Sequence, residues 1–356
     1  MKNIYLLICT LLSSSIFAQN YGGPESVEYD YVNSRWLIAN TSSHQVLARN
    51  SSGVLSVFAT GLVSGPYGIE IVGNILYCCS GSSIKGYNLS DGANVFNLNV
   101  GGTFLNGLTH DNSGNLYATD FSAKKIIKIN IATQTFSTIA TSLPQSPNGI
   151  IFNEATNSCV FVNWGSNAQI KSINLDTNVV TTLLSTTMSN CDGIAKDAAG
   201  NYFISNWGMQ NVVKYNSNFS NTAEIVTSGL SSPADIFINT VDNVLGIPNS
   251  GNNTVTFFQL PNLSSEAFES SILNSVIIYP NPITALSVLK VELPEEMKVT
   301  AKMVDINGRI IADLIAKDTV LQNGSIDMNI NNLNSGIYFL VFTANDLSKT
   351  ISFIVK

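Results

Sequence analysis

The sequence predicts an all-β protein, a six-bladed β-propeller followed by a small Ig-like β-sandwich. Three observations carry this prediction. A short motif recurs six times at intervals of 39 to 44 residues. Four short runs with strand-like alternation fill each interval, and such a unit has the length of one propeller blade. A different pattern then replaces the repeat over residues 276–356.

The composition agrees with many short strands joined by tight turns. Hydrophobic residues make up 45% of the 356 residues, whereas charged residues are only 12%, about half the usual share. Asn, Ser, Thr and Gly take their place, and these residues favour turns. The net charge is −7 and basic residues form no cluster, so nucleic acid is not an expected partner.

The first 18 residues have the pattern of a removable signal peptide. Lys2 precedes a short apolar run over residues 4–12, and Ala18 stands at a plausible cleavage point. That run is too short for a stable membrane anchor, and no later stretch is long and apolar enough for one. Four cysteines remain after cleavage, and we expect them to be free, buried thiols: Cys78, Cys79, Cys159 and Cys191.

The propeller is predicted to span residues 22–260. Each unit opens on the recurring motif, as in Pro147-Asn148-Gly149, and continues as a short apolar strand, a turn rich in Asp, Asn and Gly, and further alternating strands. The sixth unit runs out of strand pattern near Leu260, so we expect a last blade of three strands and no closure by an N-terminal strand. Residues 261–275 are predicted to form a linker.

The central residue of each motif opens the innermost strand of its blade and should point toward the propeller axis. These residues are Glu25, Tyr67, Asn106, Asn148, Asp192 and Ala234. Two carboxylates and two amides on one axis would repel or remain unsatisfied without a cation. Carboxylate and amide oxygens are ligands for hard cations, so we predict a divalent cation, Ca²⁺, bound by Glu25, Asn106, Asn148 and Asp192.

Loops at the same rim suggest a ligand site beside the cation. The second strands of several blades end in polar and aromatic residues, and two of these ends read Asn-Trp-Gly. Aromatic walls with amide groups suit a small polar or sugar-like ligand. The predicted ligand contacts are Tyr67, Asp120, Asn163, Trp164, Asn206 and Trp207. The alternative is that both tryptophans wedge between blades.

The repeat domain resembles the regucalcin/gluconolactonase family and, more loosely, NHL-repeat and strictosidine-synthase-like propellers. The resemblance lies in Glu25, in Asn148 within Ser146-Pro147-Asn148-Gly149-Ile150, and in Asp192 within Asp192-Gly193-Ile194. It implies one bound divalent metal, with Asp192 as the general base of lactone or ester hydrolysis.

One departure from the enzyme pattern keeps a second function open. Residues 101–105 carry no cationic side chain where lactonases of the family tend to have an arginine. The alternative is a non-catalytic NHL-type module that binds a glycan or a protein at the cell surface.

Residues 276–356 resemble the type IX secretion sorting domain of Bacteroidetes. The resemblance rests on Tyr279-Pro280-Asn281-Pro282, on 304–309, on 333–339 and on the final strand 351–356. It implies the type IX secretion machinery as a partner, passage through the periplasm and across the outer membrane, and a secreted or cell-surface destination. Asn307-Gly308 is a hairpin dipeptide, and about seven short strands are expected. The alternative is an ordinary adhesion sandwich.

Overall fold

The structure is a computed structural model that describes residues 20–261, 276–284, 287–306, 308–328, 333–344 and 347–356. The chain divides into two compact units, 1–260 and 261–356. The predicted signal peptide and residues 262–275 of the predicted linker lie outside the described residues.

The first unit consists of six antiparallel sheets, each built from strands consecutive in the chain, which confirms the six-bladed propeller. Blades 1 and 2 comprise β1 (Pro24–Asp30), β2 (Arg35–Asn40), β3 (Gln45–Arg49), β4 (Leu55–Ala59), β5 (Ile69–Val72), β6 (Ile75–Ser80), β7 (Ser83–Asn88) and β8 (Asn94–Asn99). Blades 3 and 4 comprise β9 (Leu105–His110), β10 (Asn115–Asp120), β11 (Lys125–Asn130), β12 (Thr135–Ala140), β13 (Ser146–Asn153), β14 (Ser158–Trp164), β15 (Gln169–Asn174) and β16 (Val180–Ser185).

Blades 5 and 6 comprise β17 (Cys191–Lys196), β18 (Tyr202–Asn206), β19 (Asn211–Tyr215), β20 (Glu224–Ser228), β21 (Phe237–Asn239), β22 (Val244–Asn249) and β23 (Thr254–Gln259). The sixth blade has three strands, as expected. In the described part of the chain the one helical element is a 3₁₀ turn over Glu154–Thr156, and no helix there is long and apolar enough to cross a membrane.

The apolar core lies in layers between adjacent blades. Leu37 of blade 1 belongs to the same buried cluster as Leu76 of blade 2, and Tyr77 on the other face of blade 2 packs with Leu116 of blade 3. Both faces of a middle strand are therefore buried, which explains its nearly continuous apolar sequence. The four cysteines remaining after residue 18 are free and buried in these layers.

Blades 1 and 6 close the ring without sharing a strand. Trp36 is 7% exposed and packs edge-on against Phe237 of blade 6 at 6.2 Å and against Phe257 at 5.0 Å. The Asp235 amide donates to the Glu25 carbonyl at 2.8 Å. Packing and inter-blade hydrogen bonds thus replace a closing strand.

The glycine of each Pro-x-Gly-like motif allows the inner strands to approach closely. A Cβ on Gly107 would lie 2.4 Å from the Asn148 carbonyl oxygen, and one on Gly149 would lie 2.5 Å from the Asp192 carbonyl oxygen. Neither glycine has a positive φ. The sequence pattern alone suggests a turn requirement, whereas the structure assigns these glycines to packing around the axis.

The second unit folds around one apolar core in a five-stranded antiparallel sheet. Its strands are β24 (Val276–Tyr279), β25 (Val288–Val304), β26 (Ile310–Asp327), β27 (Gly336–Ala344) and β28 (Leu347–Val355). The expectation of about seven short strands differs from the five described strands because β25 and β26 each continue through register shifts, which bend a strand without ending it. The predicted hairpin dipeptide lies between them, with Asn307 outside the described residues.

Candidate metal and ligand site on the propeller axis

Four predicted ligands lie at the start of the inner strands of blades 1, 3, 4 and 5. Glu25 lies on β1, Asn106 on β9, Asn148 on β13 and Asp192 on β17. Asn106, Asn148 and Asp192 are 5%, 1% and 2% exposed. Their backbone carbonyls contact the neighbouring blades, so the main chain of each position is fixed and its side chain projects from a rigid ring.

Burial raises the pKa of both carboxyls at this rim, and repulsion by other carboxyls adds to the rise at Asp192. Burial raises the pKa of Glu25 to about 7, although a hydrogen bond donated by the Ser250 hydroxyl to Oε2 at 2.9 Å opposes the rise. Burial raises the pKa of Asp192 well above its usual value, and the nearby Glu25 and Asp235 carboxyls raise it further. Without a positive charge, the site therefore favours the protonated form of both carboxyls.

Several buried polar atoms around Asp192 have no hydrogen-bond partner among the described residues. They are Asp192 Oδ1, Asn148 Oδ1 and Trp207 Nε1. The Asn148 amide and the Trp207 indole lie beside the Asp192 carboxyl and lower its pKa, yet without forming a well-aligned bond. Buried atoms without partners are costly. Two of these three are oxygens, and a cation between them would satisfy both.

The donor set fits a hard divalent cation and does not fit zinc or copper. Among the described residues, no three His, Cys, Asp or Glu side chains are arranged to hold a metal ion. The predicted ligands at the rim instead combine two carboxylates, Glu25 and Asp192, with two amides, Asn106 and Asn148. Ca²⁺ accepts such mixed oxygen ligands together with water.

A continuous arc of five aromatic rings borders these carboxyls. The ring centroids are 4.6 Å apart for Tyr67 and Phe104, 5.3 Å for Phe104 and Phe121, 6.0 Å for Phe121 and Trp164, and 5.1 Å for Trp164 and Trp207. We call this set the aromatic arc. All five side chains are partly exposed. The two tryptophans thus contact rings of adjacent blades and still present surface at the rim.

Sequence reasoning missed two members of the arc. Phe121 follows the end of β10 just as Trp164 ends β14, so the alignment of blades could have indicated it. Phe104 precedes the motif residue Leu105 and has no counterpart in the tryptophan-bearing blades. Only the structure places its ring between those of Tyr67 and Phe121.

Three predicted ligand contacts lie just below the arc and hold their own loops. The Asp120 carboxylate accepts hydrogen bonds from the backbone amides of Thr103 at 2.8 Å and of Phe104 at 3.1 Å. Asn163 donates to the Gln169 carbonyl at 2.7 Å, and Asn206 accepts from the Met209 amide at 3.2 Å. These side chains are fully buried, so the structure does not place them at the exposed surface of the rim.

Further carboxyls lie deeper along the axis, and the sequence analysis did not select them. Burial raises the pKa of Asp235 to about 7, although the Ser26 hydroxyl donates to it at 2.9 Å. Burial and the neighbouring Glu70 raise the pKa of Glu28. All three acids line a cavity of about 100 Å³ in the channel. Asp235 is the last residue of the sixth motif, and Glu28 and Glu70 each lie three residues after the central motif residue of their blades. These positions are the sequence signal that could have indicated them.

Comparisons with known proteins support the fold and the export domain. Residues 277–356 match the family described as "Secretion system C-terminal sorting domain". The structure is similar to that of a gluconolactonase from Xanthomonas campestris, with 15% identity and a TM-score of 0.58 over 68% of this chain and 87% of that one. No curated protein matches the sequence.

Two further solved structures are similar. One is the calcium-binding protein regucalcin from Agrobacterium tumefaciens strain C58, with 16% identity and a TM-score of 0.57 over 68% of this chain and 92% of that one. The other is a chain of a nidogen/laminin complex, with 15% identity and a TM-score of 0.57 over 64% of this chain and 89% of that one. At these identities the similarity defines the fold and not the activity.

The fold and the C-terminal match together define the class of this protein. It is a six-bladed β-propeller with gluconolactonase and regucalcin among its structural neighbours. Its C-terminal part is a type IX secretion sorting domain, which directs the chain to secretion or to the cell surface.

Proposed function

We propose that the propeller binds one divalent cation, Ca²⁺, on its axis through Glu25, Asn106, Asn148 and Asp192. The observation that carries this proposal is the pair of buried oxygens without partners, Asn148 Oδ1 and Asp192 Oδ1. They lie beside a second carboxyl whose pKa is also raised. A divalent cation would satisfy both oxygens and remove the repulsion between the carboxylates.

We further propose that this site hydrolyses an ester or lactone. A water molecule attacks the carbonyl carbon while the Asp192 carboxylate accepts a proton from that water. Asp192 then returns the proton to the leaving alkoxide oxygen as the original C–O bond breaks. When bound, the cation supplies charge stabilisation at the carbonyl oxygen. The Trp207 indole lies beside the Asp192 carboxyl and favours its ionised form, which is the form that accepts the proton.

Metal analysis and a turnover assay test these two proposals separately. We expect the purified protein to retain about one equivalent of a divalent cation, and Asp192→Asn to lose it. Turnover on a panel of lactones and esters should vanish with chelator, return with Ca²⁺, and be absent in Asp192→Asn. Glu224→Gln removes an exposed carboxylate far along its blade, on β20, and should change neither measurement. Chelator-insensitive turnover, or turnover in Asp192→Asn, would eliminate the hydrolase proposal.

A second candidate function is a non-catalytic binding module. It is favoured by residues 101–105, which carry no cation to orient a substrate, and by the similar fold within a nidogen/laminin complex. In this case the cation ties the inner strands together, and the rim binds a glycan or a protein. Retention on glycan or protein arrays without any turnover would support it. Turnover without retention on any array would reject it.

For export we propose entry into the periplasm by the signal peptide over residues 1–18, followed by outer-membrane translocation directed by residues 276–356. The sorting-family match supports the second step. Deleting 276–356 should leave the protein in the periplasm, whereas the full chain should appear at the surface or in the medium. Equal secretion of both forms would contradict the proposal.

A further inference from the structure

The aromatic arc gives the rim two chemically different sides. Blades 2 to 5 contribute its five partly exposed rings, and consecutive rings contact each other edge-on or tilted at 4.6 to 6.0 Å. Blades 6 and 1 contribute Ala234, which is fully buried, and Ser250, whose hydroxyl is bonded to Glu25. The arc is therefore a rigid apolar wall that faces a small, polar side across the axis.

The polar groups near the arc are few. The Asp120 carboxylate, the Asn163 amide nitrogen and Asn206 Oδ1 bond to backbone groups of their own blades, and Asn163 Oδ1 and Asn206 Nδ2 are buried without a partner among the described residues. The Trp207 N–H lies beside Asp192, which leaves the Tyr67 hydroxyl and the Trp164 N–H as the polar groups of the arc itself. A bare polyol needs a partner for most of its hydroxyls when it leaves water. A wall of contiguous rings instead stabilises an aromatic or alkyl group.

The arc offers no cationic partner to an anionic ligand. In the described part of the chain, the cation–π contacts involve rings outside the arc, namely Phe58, Phe257, Tyr117 and Phe203. A ligand anion on the arc would therefore find no Lys or Arg stacked there, and removing an unpaired charge from water is costly.

We propose that the aromatic arc binds the apolar part of an uncharged ligand, an ester or lactone with an aromatic or alkyl group. The carbonyl of this ligand lies at the axis, and the apolar group lies on Phe121, Trp164 and their neighbours. The arc is several rings long, so its contact surface is larger than a single six-membered ring can cover. This inference rests on the proposed function for the position of the carbonyl. The sequence predicts a small polar or sugar-like ligand, whereas this inference assigns a ligand with an aryl or alkyl group.

Non-hydrolysable lactams test the inference without any need for turnover. Valerolactam carries the bare six-membered ring, dihydroquinolinone adds a fused aromatic ring, and gluconolactam adds hydroxyls. Binding to the full-length protein is measured by calorimetry, with and without Ca²⁺, and by tryptophan fluorescence in Trp36→Phe, where Trp164 and Trp207 are the remaining tryptophans. We expect dihydroquinolinone to bind at least about tenfold more tightly than either of the others and to change the fluorescence.

Variants then locate the apolar contact. Trp164→Leu and Phe121→Leu should abolish the preference for dihydroquinolinone over valerolactam. Phe136→Leu alters an exposed ring on β12 that is 48% exposed and should bind like the unaltered protein. Thermal unfolding checks that each variant is folded, and any variant that is not is replaced by the corresponding methionine substitution, which also removes the ring.

The possible failures are distinguishable. Tightest binding of gluconolactam, an unchanged preference in both arc variants, or no binding of any lactam to the Ca²⁺-loaded protein would overturn the inference and leave the cation proposal standing. Conversely, absence of any bound cation together with an arc-dependent preference for dihydroquinolinone would refute the proposed metal site and support the arc as a ligand surface.

Discussion

Cation binding on the axis should depend steeply on pH because the pKa values of its carboxyl ligands are raised when no cation is present. Burial raises the pKa of Glu25 from its ordinary value of 4.5 to about 7. This carboxyl is therefore about nine-tenths ionised at pH 8 and about one-tenth ionised at pH 6. A cation must displace the proton, so Glu25 alone should weaken binding about tenfold between pH 8 and pH 6. Asp192, whose pKa is raised further, adds to this effect.

In the cation-free protein, the folding stability should change with pH in the direction opposite to the cation affinity. Folded-state pKa values above the unfolded values mean that the folded chain binds more protons between about pH 4.5 and pH 7. Stability of the chelated protein should therefore fall as pH rises through this window. Added Ca²⁺ should reverse the trend, because it stabilises the ionised form of Glu25 and Asp192 more at pH 8 than at pH 6.

Calorimetric titration of the chelated protein with Ca²⁺ at the two pH values measures the affinity, and thermal unfolding measures the stability. Asp192→Asn keeps the shape of the side chain but removes its charge, and we expect it to lose at least about tenfold in affinity at pH 8. Glu224→Gln is the matched control. Equal affinity at pH 6 and pH 8, or unaltered affinity in Asp192→Asn, would refute the placement of the cation between these side chains.

Three further predictions concern the propeller itself. Trp36→Ala should destabilise the protein by about 3–5 kcal/mol in urea unfolding because it empties the junction of blades 1 and 6, whereas Phe136→Ala should change stability by less than about 0.5 kcal/mol. Gly149→Ala should destabilise by at least about 1 kcal/mol because its Cβ would strike the next inner strand, whereas Gly22→Ala meets only ordinary contacts. The buried thiols should resist a thiol reagent until the protein unfolds, because burial raises their pKa values: Cys78, Cys79, Cys159 and Cys191.

The architecture of the propeller was predictable because each repeat contains both the strand pattern of a blade and the motif at which neighbouring inner strands approach most closely. The interval of about 42 residues gave six blades, and the early end of strand pattern near Leu260 gave a three-stranded sixth blade. The way the ring closes was not predictable. Trp36 contacts Phe237 and Phe257, which are about 200 residues away in the sequence. A local sequence pattern does not predict contacts between residues so far apart in the chain.

The candidate site was only partly predictable, for a related reason. Motif alignment selected Glu25, Asn148 and Asp192 because each occupies the same place in its blade. It could not distinguish a side chain that faces the rim from one that holds its own loop. Asp120 was therefore grouped with the tryptophans, although its carboxylate is used by the backbone of its own blade.

A single packing constraint connects the fold to the chemistry of the rim. Inner strands converge so closely that only glycine fits beside the neighbouring backbone, as at Gly107 and Gly149. The residue before each glycine is then held at the mouth of the channel, where its backbone is committed to the next blade and its side chain is free to vary. The repeat can therefore preserve the ring while Tyr67, Asn148 and Asp192 differ from blade to blade, and in blade 1 Ser26 stands in place of the glycine after Glu25. Variation at the axial position beside a repeated glycine is what we expect of a rim that binds a ligand rather than of a purely structural one.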